Sequence, residues 1–182
     1  MCCGPSLRAD DVAAARAKGW RILAVNNAWE FGCDALYACD GKWWRQHGVV
    51  AQAPLRITQD AAVDMPGVVR VPSVARPGLS GDPLRIHQGG GGGYQALNLA
   101  VLMGARRVVF LGLDCQGTNA RLHYHGNHPA PLNNPGAAQF EQWAAAFRRA
   151  VGWLDWWGVE VINASRATAL TCFPRAALED LR

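Results

Sequence analysis

Arg107-Val108-Val109-Phe110-Leu111-Gly112 is the strongest strand pattern of the chain, since a continuous apolar run with β-branched residues is typical of a buried parallel strand. Other runs of strand length lie at residues 21–26, 34–40, 68–71 and 159–163. Segments of helical character alternate with them, at residues 10–18, 94–103 and 136–157. The alternation predicts an α/β fold with a single Rossmann-like, doubly wound, mostly parallel sheet and helices on both faces.

The chain length of 182 residues, half of them hydrophobic, fits one domain with a sizeable core. We expect residues 1–182 to form that domain, with an irregular excursion around residues 52–92, where proline and glycine are frequent. Only Met1-Cys2-Cys3 stands before the first loop, although such a loop normally follows a buried strand. Either the first strand is very short, or the start codon of the chain has been assigned too late.

Charge and hydropathy exclude some classes of partner. The formal net charge is +4, but the arginines lie singly or in pairs and form no basic run, so no nucleic-acid partner is expected. No apolar run approaches the roughly 20 residues of a membrane span, and no signal peptide is visible. We expect a cytoplasmic protein without a membrane partner. Trp153, Trp156 and Trp157 are either core residues or an exposed face for a homo-oligomer.

Loops rich in small and polar residues follow the predicted strands, and ligands of doubly wound sheets bind at such loops. Each loop also has a purely structural interpretation: a helix-start turn, an Asx turn, a helix cap or a flexible linker. At a nucleotide site these loops would offer backbone N–H groups to phosphate and polar side chains to the sugar. The candidates are Gly4, Pro5 and Ser6; Asn26 and Asn27; Asp40; and Gly92 and Gly93 at the end of a run of five glycines.

Three of the five histidines fall within six residues, at His123, His125 and His128, and Asp114 precedes them after the strongest strand. Imidazole titrates near neutrality, so one of them can act as a general base. The same set, with Asp114, also offers three nitrogens and one oxygen to a zinc ion. A polar surface loop is the third interpretation. We favour acid–base chemistry and expect no metal ligand, since no carboxylate-plus-histidine helix motif accompanies the cluster.

Short sequence blocks follow one another in a fixed order along the chain: Gly4-Pro5-Ser6-Leu7, Val25-Asn26-Asn27, Ala38-Cys39-Asp40 with Trp43-Trp44, residues 93–100, Leu111-Gly112-Leu113-Asp114, His123-Tyr124-His125-Gly126, and Asn163-Ala164-Ser165 with Leu170 and Phe173-Pro174. In this order they resemble small phage and prophage proteins of unassigned function over almost the whole chain. The Gly-Pro-Ser loop, the glycine-rich turn, the Gly-x-Asp strand end and the His-Tyr loop are also distantly similar to the bacterial sialyltransferases that use CMP-sialic acid, glycosyltransferase family 42.

That resemblance implies a Rossmann-like sheet that holds a CMP-type nucleotide or nucleotide-sugar, and glycosyl transfer with a histidine base and no required cofactor. It also implies a bacterial host. Gly92 stands where the family usually has serine, and Thr168 where we expect serine. A chain of this length has no room for the family's small lid domain. Two alternatives stay open: a catalytically inactive phage-encoded nucleotide-binding or interaction protein, and a metal-dependent hydrolase or phosphotransferase that uses the cluster from His123 to His128.

Overall fold

The structure is a computed structural model that describes all residues, 1–182. Helices and short strands alternate along the chain, as follows: α1 (Ala9–Ala17), β1 (Leu23–Val25), a 3-10 helix (Asn26–Phe31), β2 (Ala35–Tyr37), α2 (Gly41–His47), β3 (Leu55–Thr58), β4 (Val68–Arg70), β5 (Ser73–Val74), β6 (Ile86–His87), α3 (Gly92–Leu102), β7 (Arg107–Phe110), α4 (Ala137–Trp157), β8 (Glu160–Asn163) and a 3-10 helix (Leu178–Asp180).

All strand pairs are parallel, which confirms the predicted α/β class. The strands form three groups: a four-stranded sheet in the order β1-β2-β3-β4, and two pairs, β5-β6 and β7-β8. The strand pairing thus does not form the predicted single continuous sheet. The segment around residues 52–92 contributes four short strands, β3 to β6, where the sequence indicated an irregular excursion.

Residues 1–4 lie between β1 and β7. The ammonium group of Met1 donates to the carbonyl oxygen of Leu23 (2.9 Å), and the carbonyl of Met1 accepts from the N–H of Val25 (2.9 Å). On the other side, the N–H of Cys2 donates to the carbonyl of Leu111 (2.8 Å). Residues 1–4 therefore occupy the place of the expected first strand, hydrogen-bonded to β1 on one side and to the residues after β7 on the other, although they form no regular strand.

The core is divided into two clusters, because successive side chains of a strand point to opposite faces. Val25 and Tyr37 belong to the cluster that contains the buried residues of α3 and α4. Ala24 and Leu36 belong to the cluster that contains the buried residues of α1 and α2. Helices thus cover both faces of the strands, as the continuous apolar pattern predicted.

No helix of the protein has both the length and the apolar character that crossing a bilayer requires. The tryptophans near the end of α4 differ in environment: Trp156 is 77% exposed and Trp153 43% exposed, whereas Trp157 packs against the core. The homo-oligomer stays a prediction.

Candidate functional site

A cleft of about 650 Å³, including its open mouth, lies where β1 and β7 end and α3 begins. Half of the twelve candidate residues line it: Gly4, Asn26, Gly92, Gly93, Asp114 and His123. The other six, Pro5, Ser6, Asn27, Asp40, His125 and His128, do not line it. The carboxyl ends of the strands therefore do bring distant candidates together, but only a part of them.

Asp114 is held by the first loop. The backbone N–H of Ser6 donates to its Oδ2 and the hydroxyl of Ser6 donates to its Oδ1, both at 2.7 Å. Burial raises the pKa of Asp114, and the two hydrogen bonds from Ser6 partly oppose that rise. A Cβ atom on Gly4 would lie 2.5 Å from the carbonyl oxygen of Gly112. Gly4, Ser6 and Asp114 thus fix the loop after residues 1–4 against the end of β7.

The amino end of α3 faces the cleft through Gly92 and Gly93, the first two residues of the helix. No side chain caps this end, so their N–H groups remain free to meet a ligand. Packing also leaves little room for a side chain at either position. A Cβ on Gly92 would lie 3.0 Å from Cγ1 of Val25, and one on Gly93 would lie 3.1 Å from Sγ of Cys2. The helix end therefore approaches the strands closely.

The rest of the glycine run is ordered by aromatic side chains and is not a linker. Trp143 donates from Nε1 to the carbonyl of Gly90 (2.6 Å), and a Cβ on Gly91 would lie 2.8 Å from the same nitrogen. Gly89 has φ +51°, and a Cβ there would collide with the ring of Tyr94. Trp143 also lines the cleft. The run thus allows the indole to form one wall of the cleft.

The two asparagines after β1 have different roles. Asn26 adopts a left-handed backbone conformation, with φ +49°, and its Oδ1 is buried in the cleft region without a hydrogen-bond partner. Both oxygens of Asn27 are engaged in the fold: its Oδ1 accepts from Nε1 of Trp43 (2.8 Å) and its carbonyl accepts from the hydroxyl of Tyr124 (2.6 Å). Of the two asparagines, Asn26 is therefore the one that offers a free oxygen in the cleft.

Asp40 is the N-cap residue of α2 and is exposed, away from the cleft lining. Its carboxylate makes no capping hydrogen bond; Sγ of Cys39 donates to it at 3.5 Å. Its position thus matches the structural interpretation of this loop as a helix start more closely than a ligand contact.

The histidine loop is anchored through its backbone and through Tyr124. His123 and Gly126 exchange two backbone hydrogen bonds (3.1 and 3.0 Å), which closes a tight turn, and the N–H of Tyr124 donates to the carbonyl of Cys3 (3.0 Å). The hydroxyl of Tyr124 lies 2.6 Å from the carbonyl oxygen of Asn27 and 2.8 Å from Oε2 of Glu30, and these two acceptors share its single proton. These contacts tie the loop to residues 1–4 and to the 3-10 helix after β1.

The three imidazoles of the loop form a compact cluster. Ring centroids are 5.1 Å apart for His123 and His125, 4.3 Å for His123 and His128, and 4.8 Å for His125 and His128. One ring nitrogen from each residue lies within 4.8 Å of the others. Nε2 of His123 and Nε2 of His125 are buried and have no hydrogen-bond partner. Two buried polar atoms without a partner are costly unless a ligand satisfies them.

Burial is the main cause of the low basicity of the cluster. It lowers the pKa of His123 and of His128 to about 4, and repulsion from the neighbouring imidazoles adds to the shift. Burial also lowers the pKa of His125, which the charge of Glu30 partly opposes. All three rings are therefore neutral near pH 7, with lone pairs available.

Several residues near this site were not predicted from the sequence to belong to it. Phe140 and Trp143, from the first turns of α4, line the cleft, and Glu30 contacts the histidine loop through Tyr124. The glycine run was the available signal for Trp143, because glycines in series allow a large ring to lie on the backbone. Glu30 stood in no recognisable motif. No protein-family model, no curated protein and no solved structure matches the chain.

Proposed function

We propose that the protein binds a nucleotide or nucleotide-sugar in the cleft at the carboxyl ends of β1 and β7. In this proposal the four-stranded sheet and the pair β7-β8 act as one Rossmann-like sheet, joined through residues 1–4. The observation that carries the proposal is the meeting of free donors and acceptors in the cleft: the uncapped end of α3 and the unpartnered Oδ1 of Asn26.

The uncapped amino end of α3 favours the binding of a phosphate group. Free N–H groups at a helix amino end, together with the positive end of the helix dipole, favour anions. Gly92 and Gly93 have no side chains that would keep a phosphate away from these N–H groups. The excess of basic over acidic residues favours the same charge of ligand.

The aromatic wall of the cleft favours a ligand that contains a flat ring. Trp143 and Phe140 line the cleft on the side of α4, and their ring centroids lie 5.5 Å apart in an edge-to-face arrangement. Aromatic side chains stack readily on bases. Asn26 would then hydrogen-bond the sugar or the base, since an amide both donates and accepts.

Glycosyl transfer with a histidine base is the proposed reaction. Of the three clustered histidines, His123 lines the cleft, so it is the residue best placed to take a proton from an acceptor hydroxyl. His125 and His128 lie behind it and would set its environment. A bacterial, cytoplasmic protein of a phage or prophage, as the sequence resemblance implies, is part of the same proposal.

The test is a thermal-shift titration with CMP, CDP, UDP and GDP. A ligand that binds the native state raises the midpoint of unfolding with concentration. Asn26→Gly removes the amide and relieves the positive φ, so binding should weaken by about tenfold. Asn119→Gly is the matched control, because Asn119 also has a positive φ of 51° but is exposed and does not line the cleft. No shift with any nucleotide would contradict the proposal.

A catalytically inactive nucleotide-binding or interaction protein is the second candidate, favoured by the glycine at position 92. It differs from the first candidate in one result. Nucleotide binding without hydrolysis or transfer of a nucleotide-sugar, in the presence of varied acceptors, would favour it.

A further inference from the structure

We propose that His123, His125 and His128 bind a divalent transition-metal ion of the zinc class. The inference goes beyond nucleotide binding, because the histidine cluster is built without any contribution from the amino end of α3. With a metal bound, the ring nitrogen of His123 would not be free to take a proton, so this inference replaces the general-base role proposed for His123 above.

The ligand geometry needs only a small adjustment. One nitrogen of each ring lies within 4.8 Å of the others, whereas imidazole nitrogens on a tetrahedral zinc ion lie about 3.4 Å apart, at about 2.0–2.1 Å from the ion. Rotation of the side chains about their own bonds closes that difference. The backbone would stay in place during this rotation, held by the turn from His123 to Gly126 and by the contacts of Tyr124.

The unpartnered ring nitrogens favour a metal ligand. Nε2 of His123 and Nε2 of His125 are buried, and no protein group reaches either atom. A bound metal ion would satisfy both, because zinc is commonly held by imidazole nitrogens.

Asp114 does not complete the ligand set. Both of its carboxylate oxygens accept hydrogen bonds from Ser6, and the residue is 2% exposed. The expected set of three nitrogens and one oxygen therefore reduces to three histidines. A zinc site with three protein ligands keeps a fourth position for water or substrate, and His123 places that position beside the cleft.

The test is a calorimetric titration of chelator-treated protein with zinc chloride, repeated with magnesium chloride. We expect one zinc ion per chain and no magnesium binding, since three nitrogen ligands do not suit magnesium. His123→Ala, His125→Ala and His128→Ala should each weaken zinc binding by at least about tenfold. Cobalt in place of zinc should give the visible absorption of a four-coordinate ion.

His87→Ala is the matched control, because Nδ1 of His87 lies 3.1 and 3.0 Å from the carbonyl oxygens of Pro77 and Gly78, outside the cluster. It should keep one ion with unchanged affinity. Equal zinc affinity in the wild type and in the three cluster variants would overturn the proposal. Circular dichroism checks folding, and a His→Gln variant replaces any His→Ala variant that unfolds. Nucleotide titration with chelator present separates the failure of this site from that of the cleft.

A second inference rests on a different feature, a groove of about 2190 Å³, including its open mouth, between β1 and β7. Its walls are the edges of these two strands, and its floor is the face of α3 with Ala96, Leu97 and Ala100. Of its 25 lining residues, 18 are hydrophobic, and a large apolar surface of this kind marks a place where another segment packs. The groove runs on from Met1, which lies at one of its ends.

The groove has the width of one β-strand. Residues 1–4 bridge β1 and β7 with backbone hydrogen bonds of 2.8–2.9 Å, so the two edges stand at the distance that a single shared strand sets. Backbone groups alternate along a strand, and the carbonyl of Leu111 faces the groove. The backbone groups of Val109 and Arg107 therefore face it too, beyond the reach of residues 1–4.

We infer that this groove takes about three extended, apolar residues of the same chain that lie N-terminal to Met1, paired in parallel with β1 and β7. The Met1 nitrogen already donates to Leu23 where the peptide N–H of a continuing strand would. Such a strand would join the four-stranded sheet to β7-β8 along their whole length.

The test compares two extended proteins, one with Val-Val-Ile and one with Asp-Gly-Asn placed before Met1. The apolar extension should raise the midpoint of thermal unfolding by at least about 5 °C, because it buries three side chains and pairs two strand edges. The polar extension should leave it unchanged. Equal midpoints for both, or a dimer of the unextended chain in sedimentation that covers the groove with a second copy, would overturn the inference.

Discussion

Ser6 and Asp114, which are 108 residues apart in sequence, are joined by two hydrogen bonds of 2.7 Å, one from the backbone N–H and one from the hydroxyl of Ser6. The pair connects the loop that follows residues 1–4 with the segment that follows β7. Both residues were candidates for ligand or catalytic contacts, yet they satisfy one another. Their geometry indicates a structural role, in which Ser6 holds Asp114, a residue of the cleft lining, in place.

A double-mutant cycle tests this relationship. Ser6→Ala removes one charge-assisted hydrogen bond from a buried carboxylate, so it should lower the free energy of unfolding by about 1–3 kcal/mol in the wild type. In an Asp114→Asn background its effect should be smaller by about 1 kcal/mol or more. Urea denaturation of the four proteins measures both values. Equal effects of Ser6→Ala in the two backgrounds would contradict the coupling.

Asp34 gives the protein a pH-dependent contribution to stability. Burial raises the pKa of this carboxyl, but the N–H of Ile22 (2.7 Å) and the guanidinium groups of Arg16 and Arg21 outweigh it, so its pKa lies below the ordinary value. A lowered pKa stabilises the fold above the unfolded-state pKa, and that stability is lost as the pH falls through the folded-state value.

Asp34→Asn should therefore lower the free energy of unfolding by about 1–2 kcal/mol at pH 7, mainly through the weaker bond to Ile22, because exposed ion pairs contribute little. The difference from the wild type should shrink as the pH falls below about 4. Asp64→Asn is the control, since Asp64 is exposed and makes no hydrogen bond or ion pair. A pH-independent difference for Asp34→Asn would contradict the argument.

The regular elements were predictable because their patterns are local. The five predicted strands and three predicted helices are all present within a few residues of their expected bounds. β3 (Leu55–Thr58) was missed because Pro54 precedes it and Arg56 interrupts its apolar pattern. Its strand character comes from pairing with both β2 and β4.

The candidate site was only partly predictable, because hydrogen-bond partners depend on contacts between distant segments. The sequence places Asn26 and Asn27 side by side, but only the fold brings Trp43 to Asn27 and leaves Asn26 free. The closeness of the three histidines was visible from their spacing. Their burial could not be predicted, because it depends on how the loop packs against residues 1–4.

The glycine run before α3 can be tested by adding a single methyl group. Gly91 has an extended backbone (φ −159°), so alanine is tolerated there except for its contact with Trp143. Gly91→Ala should displace the indole and lower the free energy of unfolding by about 1–3 kcal/mol. Gly152→Ala is the matched control: no atom lies within 4 Å of its Cβ, and alanine should stabilise α4 by about 0.5–1 kcal/mol. A stable Gly91→Ala protein with unchanged tryptophan fluorescence would contradict the packing argument.

Tyr124 links the histidine loop to the 3-10 helix after β1, and its removal separates loop anchoring from metal ligation. Burial raises the pKa of Tyr124, and its hydrogen bond to Glu30 adds to the rise, so the hydroxyl stays protonated and donates. Tyr124→Phe keeps the ring contact with Phe31 (4.8 Å) but loses the bonds to the carbonyl of Asn27 and to Glu30. We expect faster amide exchange in residues 123–128 and a loss of about 1–2 kcal/mol in unfolding free energy. Because the three imidazoles remain, one zinc ion should still bind, several-fold more weakly; complete loss of zinc binding would mean that the tyrosine, and not the histidine set, determines the site.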